Sequence, residues 1–189
     1  AEGDPILGNR VVRDANGNIS QVDVTYVNLA EREVVGIDFG MDYSFGTSVG
    51  DWKIGAEVSW YDKFNDQAHP EAEVINRSGT YDNSSNAGLI SEYKLSSFVN
   101  WSYEDWAVEL RAQWLDEVVD LSNDEKIDSY LRLDLNSVYH LNDNVSFSFG
   151  IDNLTDEEPP AVISEPSGIE GATYDISGRA YSVKVKLEF

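Results

Sequence analysis

Tyr181-Ser-Val-Lys-Val-Lys-Leu-Glu-Phe189 is the last stretch of this sequence, and its apolar and polar residues alternate without a break. Successive side chains of a strand point to opposite faces, so Tyr181, Val183, Val185, Leu187 and Phe189 share one face and Ser182, Lys184, Lys186 and Glu188 the other. A half-buried soluble strand has the same appearance. The distinction lies in the neighbours: where every strand repeats this pattern and the longer connections all fall on one side, the expected solvent for the apolar face is lipid.

Working backwards from residue 181, the same period of two recurs over 35–45, 52–60, 94–103, 106–114, 130–139 and 145–151, while helical periodicity is nearly absent. That makes seven strands, and none of their apolar-face positions carries a charge. Their opposite faces hold Lys53, Lys94, Arg111, Arg132, Lys184 and Lys186 against Asp38, Asp42, Glu57, Glu109, Asp134 and Glu188, which cancel. The net charge of -22 therefore belongs to the loops, turns and N-terminal region.

Connection lengths alternate. The links near 46–51, 104–105 and 141–144 are short, whereas 61–93, 115–128 and 152–180 are long and polar. An up-and-down antiparallel sheet then has all short turns at one end and all long loops at the other, as outer-membrane barrels do; Greek-key sandwiches have no such rule. The aromatic residues follow the same axis. Trp52 and Trp60 bracket one strand and Trp106 and Trp114 another, with Phe45, Trp101, Tyr103 and Phe189 beside the short turns. Eight residues rising ~3.3 Å each and tilted by about 40° span roughly 20 Å, close to the apolar band of about 25 Å between aromatic girdles. Trp52, Trp60, Trp101, Tyr103, Trp106 and Trp114 are thus candidate membrane-interface residues. The competing reading makes them core anchors of a soluble sheet.

Composition narrows the classes further. The acidic balance repels nucleic acid, and the absence of cysteine removes disulfides and thiolate chemistry. No run approaches the ~18 apolar residues of a spanning helix, which leaves barrel strands untouched. Ala1-Glu-Gly-Asp4 lacks the features of a secretory signal, which is expected upstream or already removed. Residues 1–32 read as an extracellular loop or hairpin turning at Asp14-Ala-Asn-Gly-Asn18, and 33–189 as the barrel strands with their loops. The alternation of 20–28 offers an eighth strand. The expected fold is all-β: an antiparallel up-and-down transmembrane β-barrel segment of about seven or eight strands. A single-chain bacterial barrel needs an even number, so seven cannot close alone.

Four stretches carry a family resemblance: Val27-Asn-Leu-Ala-Glu-Arg-Glu-Val-Val-Gly-Ile-Asp38, Tyr43-Ser-Phe-Gly-Thr-Ser-Val-Gly-Asp-Trp52, Gly150-Ile-Asp-Asn-Leu-Thr-Asp-Glu-Glu-Pro-Pro160 and Gly178-Arg-Ala-Tyr-Ser-Val-Lys-Val-Lys-Leu-Glu-Phe189. Together they resemble the C-terminal third of TonB-dependent outer-membrane receptors. The resemblance implies a barrel of about 22 strands around a plug, of which this sequence is expected to be a fragment lacking the plug and the TonB-engaging motif. It implies uptake of a scarce nutrient such as an iron-siderophore, cobalamin or an oligosaccharide, driven through the TonB complex. It also makes Phe189 an assembly signal read by the barrel-assembly machinery, and places the chain against outer-membrane lipid and lipopolysaccharide.

Chemistry-bearing residues are sparse. His69 and His140 have no second ligand at metal spacing. The acidic groups Asp116-Glu117, Asp120, Asp124-Glu125 and Asp156-Glu157-Glu158 offer oxygens for calcium or for cation bridges to lipopolysaccharide, yet none follows an EF-hand register; a solvated acidic face is the ordinary reading, and no cofactor is expected. Carboxylate pairs are too common in an acidic sheet to mark a glycosidase, so an enzyme is not expected. In the long loops, Asn76, Arg77, Tyr81, Asn83, Asn86 and Tyr174 are candidate substrate contacts, the alternative being ordinary loop surface. Glu109, Arg111, Arg132 and Asp134 are candidate lumen-wall residues, expected to pair across adjacent strands. Two other architectures remain open: a complete eight-stranded barrel, in which 20–28 pairs with the final strand, and a soluble acidic carbohydrate-binding sandwich burying Val35, Phe147 and Val183 together.

Overall fold

The computed structural model describes residues 11–22, 31–68, 72–83 and 88–189, where every regular element is a strand. In chain order these are β1 (Val11–Arg13), β2 (Ile19–Val22), β3 (Glu31–Thr47), β4 (Gly50–Gln67), β5 (Ile75–Asn76), β6 (Thr80–Asp82), β7 (Gly88–Ile90), β8 (Tyr93–Tyr103), β9 (Trp106–Leu115), β10 (Val118–Asp120), β11 (Glu125–Ile127), β12 (Tyr130–Asn142), β13 (Val145–Asp152) and β14 (Ala180–Leu187).

Seven of them form the wall, an antiparallel meander in the order β14-β13-β12-β9-β8-β4-β3, with β5 added at the upper end of β4. This is the up-and-down sheet the alternation predicts. Among the described residues neither β3 nor 20–22 pairs with β14, so no described strand closes the sheet into the eight-stranded alternative. Of its supposed eighth strand, 20–22 pair back onto β1 in a separate hairpin, and 23–28 lie outside the described residues. Asp14 caps that hairpin's turn, its carboxylate accepting the Asn16 and Asn18 amides at 2.9 Å each.

Short turns do lie at one end. β3 and β4 are joined through 48–49, β8 and β9 through 104–105, and β12 and β13 through 143–144. Gly50 adopts φ +124°, and a Cβ there would meet the Ser102 carbonyl oxygen at 2.5 Å, so the first turn needs glycine. The Trp101 indole donates to the Val49 carbonyl at 2.9 Å and pins that turn to β8. At the opposite end β3 and β4 run well past the predicted strand ends. They continue through a bulge in which Asp62 is the extra residue between the pairs Val35↔Lys63 and Gly36↔Tyr61. A bulge breaks the period of two, which is why the sequence pattern stops at Trp60 while the ladder continues to Glu31↔Gln67.

The apolar face of the wall is uncovered. Val35 is 41 %, Phe147 40 % and Val183 75 % exposed. A sandwich would bury all three, so the soluble alternative is overturned. The aromatic rings fall into two bands. At the turn end Tyr43, Phe45, Trp52, Trp101 and Tyr103 form a continuous series with centroid spacings of 5.7 to 6.4 Å, continued by Trp106 against Tyr139 at 4.8 Å. At the loop end Trp60 stacks on Tyr93 at 6.4 Å, and Trp114 lies in register with Leu95 and Leu131.

The buried core lies elsewhere, among the long loops. The first two, 68–92 and 116–129, contribute a four-stranded sheet in the order β11-β10-β6-β7, in which β10 and β6 run parallel. Tyr81, Leu89, Val118 and Ile127 from this sheet bury against Tyr130 at the start of β12 and against Val162 and Tyr174 of the third loop, 153–179. These loops therefore form one cap.

Candidate functional site: the loop cap and the cleft beneath it

The cap is anchored to the upper wall by charge. The Arg32 guanidinium grips Asp66 with both oxygens engaged, at 2.6 and 3.0 Å, and lies over the Phe64 ring at 5.0 Å. Arg77, almost fully buried, sits 4.0 Å from the same Asp66 and donates to Asp82. Asp66 thereby joins an edge strand of the wall to the first loop. The sequence pattern could not mark it, because the bulge at Asp62 had already broken the alternation.

Within the cap Tyr81 is fully buried and its hydroxyl donates to Glu165, which ties the first loop to the third; the Asn83 amide makes a second tie to the Ser164 carbonyl at 2.7 Å. Burial holds the Tyr81 phenol far above its usual range, reinforced by the bond to Glu165 and by nearby Glu170 and Asp120. Tyr174 meets Tyr130 edge-on at 5.3 Å, and its phenol is pushed up to about 12, chiefly by burial and then by Glu170. Of the candidate substrate contacts, Arg77, Tyr81 and Tyr174 are thus interior residues of the cap. Asn76 accepts the Phe64 and Ser78 amides at 3.1 and 3.0 Å, Asn83 holds the first loop to the third, and Asn86 lies outside the described residues, as does His69.

Beneath the cap, on the polar face of the wall, is a cleft of about 560 Å³ lined by Glu57, Lys94, Gln113, Arg132, Thr173 and Asp175, among others. Its size is in the range of small-ligand sites. The floor is wall and the overhang is third loop. Arg132 reaches both, donating to Asp134 at 2.9 Å and to Asp175. Lys94 lies over the Tyr61 ring at 5.9 Å, and Lys53 over Phe98 at 5.7 Å and 3.3 Å from Asp42.

The wall charges pair differently from the expectation. Asp134 stands opposite Arg111 in the ladder, yet the ion pairs among Glu109, Arg111, Arg132 and Asp134 run along the strands, Arg111 to Glu109 at 2.9 Å and Arg132 to Asp134. Asp134 also accepts the Asn153 amide of the third loop at 2.8 Å. Neither that loop contact nor Asp175 had a sequence signature, since contacts made across 19 and 43 residues of chain leave no local period.

The second and third loops each carry six carboxylates against one base and account for ten of the 22 net negative charges. Among the described residues no three acidic or histidine side chains are grouped to hold a metal ion. Lys126 is engaged by Glu117, and His140 lies within β12 close to its turn.

The fold and the cleft can be set beside known proteins. The siderophore receptor PiuA from Acinetobacter baumannii is similar over 94 % of this chain, with 18 % identity and a TM-score of 0.50; the match spans 23 % of that receptor. The ferric enterobactin receptor PfeA from Pseudomonas aeruginosa, in a mutant form, aligns over 82 % of this chain and 31 % of its own, at 14 % identity and a TM-score of 0.40. No curated protein matches the sequence. The family described as TonB dependent receptor-like, beta-barrel matches residues 7–154. An open seven-stranded meander with this loop asymmetry is what a section of such a barrel requires, and the chain belongs to the TonB-dependent receptor-like β-barrel family.

Proposed function

We propose that this chain is a stretch of barrel wall, with its extracellular loops, from an outer-membrane transporter that takes up a scarce nutrient using force supplied through the TonB complex. The observation that carries the reading is the uncovered apolar face of a seven-stranded wall whose polar face holds balanced charges and a loop-roofed cleft. In hydrocarbon every backbone group needs a partner, so the outer edges of β3 and β14, unpaired among the described residues, call for further strands to complete the wall. Outer-membrane lipid covers Phe39, Met41, Val183 and their neighbours, lipopolysaccharide surrounds the loop end, and the two aromatic bands lie at the membrane interfaces. Phe189, fully exposed beyond β14, is the mark read by the barrel-assembly machinery.

The nutrient belongs to the siderophore, cobalamin or oligosaccharide classes, and PiuA is named for the first of these. Glu109, Arg111, Arg132 and Asp134 line the lumen, and the chain carries and orients its ligand without covalent chemistry. The test is uptake. Cells expressing the full receptor gene are offered labelled siderophores, cobalamin and oligosaccharides, with and without TonB. One compound is expected to accumulate only when both receptor and TonB are present; accumulation that ignores TonB, or none with any compound, contradicts the proposal.

A further inference from the structure

The three long loops are attached to the wall by different means. The first two are knitted into the sheet β11-β10-β6-β7 by backbone ladders. The third, 153–179, contains no strand, and it reaches the wall through side chains and through the amides of Asn153 and Leu154, the latter bonding the Leu133 carbonyl at 2.6 Å. On the cap side Val162 is completely buried and Glu165 accepts from Tyr81. On the wall side every contact named above falls on the first turns of β12: Tyr130 against Tyr174, Arg132 with Asp175, and Asp134 accepting from the Asn153 amide.

We infer that residues 170–179 form a releasable strap across the cleft, with the Arg132–Asp175 ion pair as its catch. Arg132 is held on its other side by Asp134 on the same strand, so the guanidinium stays in place when Asp175 leaves. Asp175 is the exposed partner, its side chain 41 % accessible against 17 % for Arg132, which makes it the member water or a charged ligand can compete away. The Asp175 carboxylate also accepts the Ser177 amide at 2.8 Å, Glu170 accepts the Thr173 amide at 2.7 Å, and Asp156 accepts the Arg179 amide at 2.8 Å, so the catch closes over a segment whose amides are tied by local bonds. Release therefore lets that segment open locally and exposes those amides. A polar ligand entering the cleft would meet Lys94, Glu57 and Gln113 on the floor and Thr173 on the strap. This gating rests on the uptake function proposed above, with the cleft on the ligand's route, but the catch itself can be tested without ligand.

The experiment is amide hydrogen exchange on the intact receptor in bilayers, comparing Asp175→Asn and Asp175→Glu with the unmodified protein. Asparagine keeps the Ser177 acceptor and loses the ion pair. Exchange at the Thr173, Tyr174 and Arg179 amides is expected to rise about five- to ten-fold in Asp175→Asn and to return towards the original rate in Asp175→Glu, while Val119 and Leu121 in the cap sheet stay unchanged. No rise in Asp175→Asn overturns the catch. An equal rise in strap and cap sheet overturns it as well, because the two would then open as one unit. Since the readout needs no transported compound, failure of the uptake proposal and failure of the catch are separate results.

Discussion

Ala56 and Glu57 are chain neighbours in different solvents. Ala56 is on the apolar face midway between Trp52 and Trp60, and Glu57 lines the cleft. Arginine in place of Ala56 should destabilise the bilayer-folded receptor by about 2–4 kcal/mol, the cost of a base on the lipid face near the midplane. Arginine in place of Glu57 should change it by less than about 1 kcal/mol, because that side is hydrated. Urea unfolding in bilayers measures both. In the cap, Arg77→Ala strips a guanidinium from half-buried Asp82 and from the neighbourhood of buried Asp66. The cost should approach ~3 kcal/mol, typical of breaking a buried pair from one side, and should show as faster proteolysis of the 72–83 segment. Asp175 supplies a pH test. Its carboxylate is held below the ordinary value of 3.8, first by the Ser177 amide, then by the Ser177 side chain and Arg132. A depressed folded-state pKa contributes stability that is present above the unfolded value and lost as pH falls through the folded one. Strap exchange, corrected for intrinsic rates, should therefore be flat from pH 8 to about 5 and rise only below about 3.9.

Among the elements, the first turn tests the glycine requirement most sharply. Gly50→Ala places a Cβ against the Ser102 carbonyl in a backbone conformation that side chains avoid. A loss of about 1–3 kcal/mol is expected, measured by the same unfolding transition. The seven wall strands were legible in the sequence because a membrane wall has one apolar and one hydrated face, and the period of two is the direct imprint of that. Strand ends were less legible. β4 runs to Gln67 because backbone pairing continues above the aromatic band, where no lipid disciplines the side chains. The cap sheet was not legible at all: its strands are three residues long and β6 pairs with β10 from another loop, so neither length nor period could expose them. That is why Tyr81 and Tyr174, read from the sequence as candidate contacts for a ligand, are found inside the cap, and why Arg132 and Asp134 pair along their strand and to the third loop.

At the scale of the molecule, charge and apolarity are separated by region. The apolar side chains of the wall face outward, the wall charges nearly balance, and most of the surplus acid sits outside the wall strands. The buried core belongs to the loops, so cap and wall should respond to different perturbations, the cap to substitutions such as Arg77→Ala and the wall to charges on its lipid face. The central claim is that one face of the wall is in lipid. It is tested most directly by spin labels placed singly at 53–59 in β4 of the bilayer-embedded receptor, reading accessibility to oxygen against a water-soluble nickel complex. Labels at 54, 56 and 58 should be oxygen-accessible and shielded from nickel, with 53, 55, 57 and 59 reversed or shielded from both. A profile without that alternation, or nickel access at 54, 56 and 58, would contradict the account.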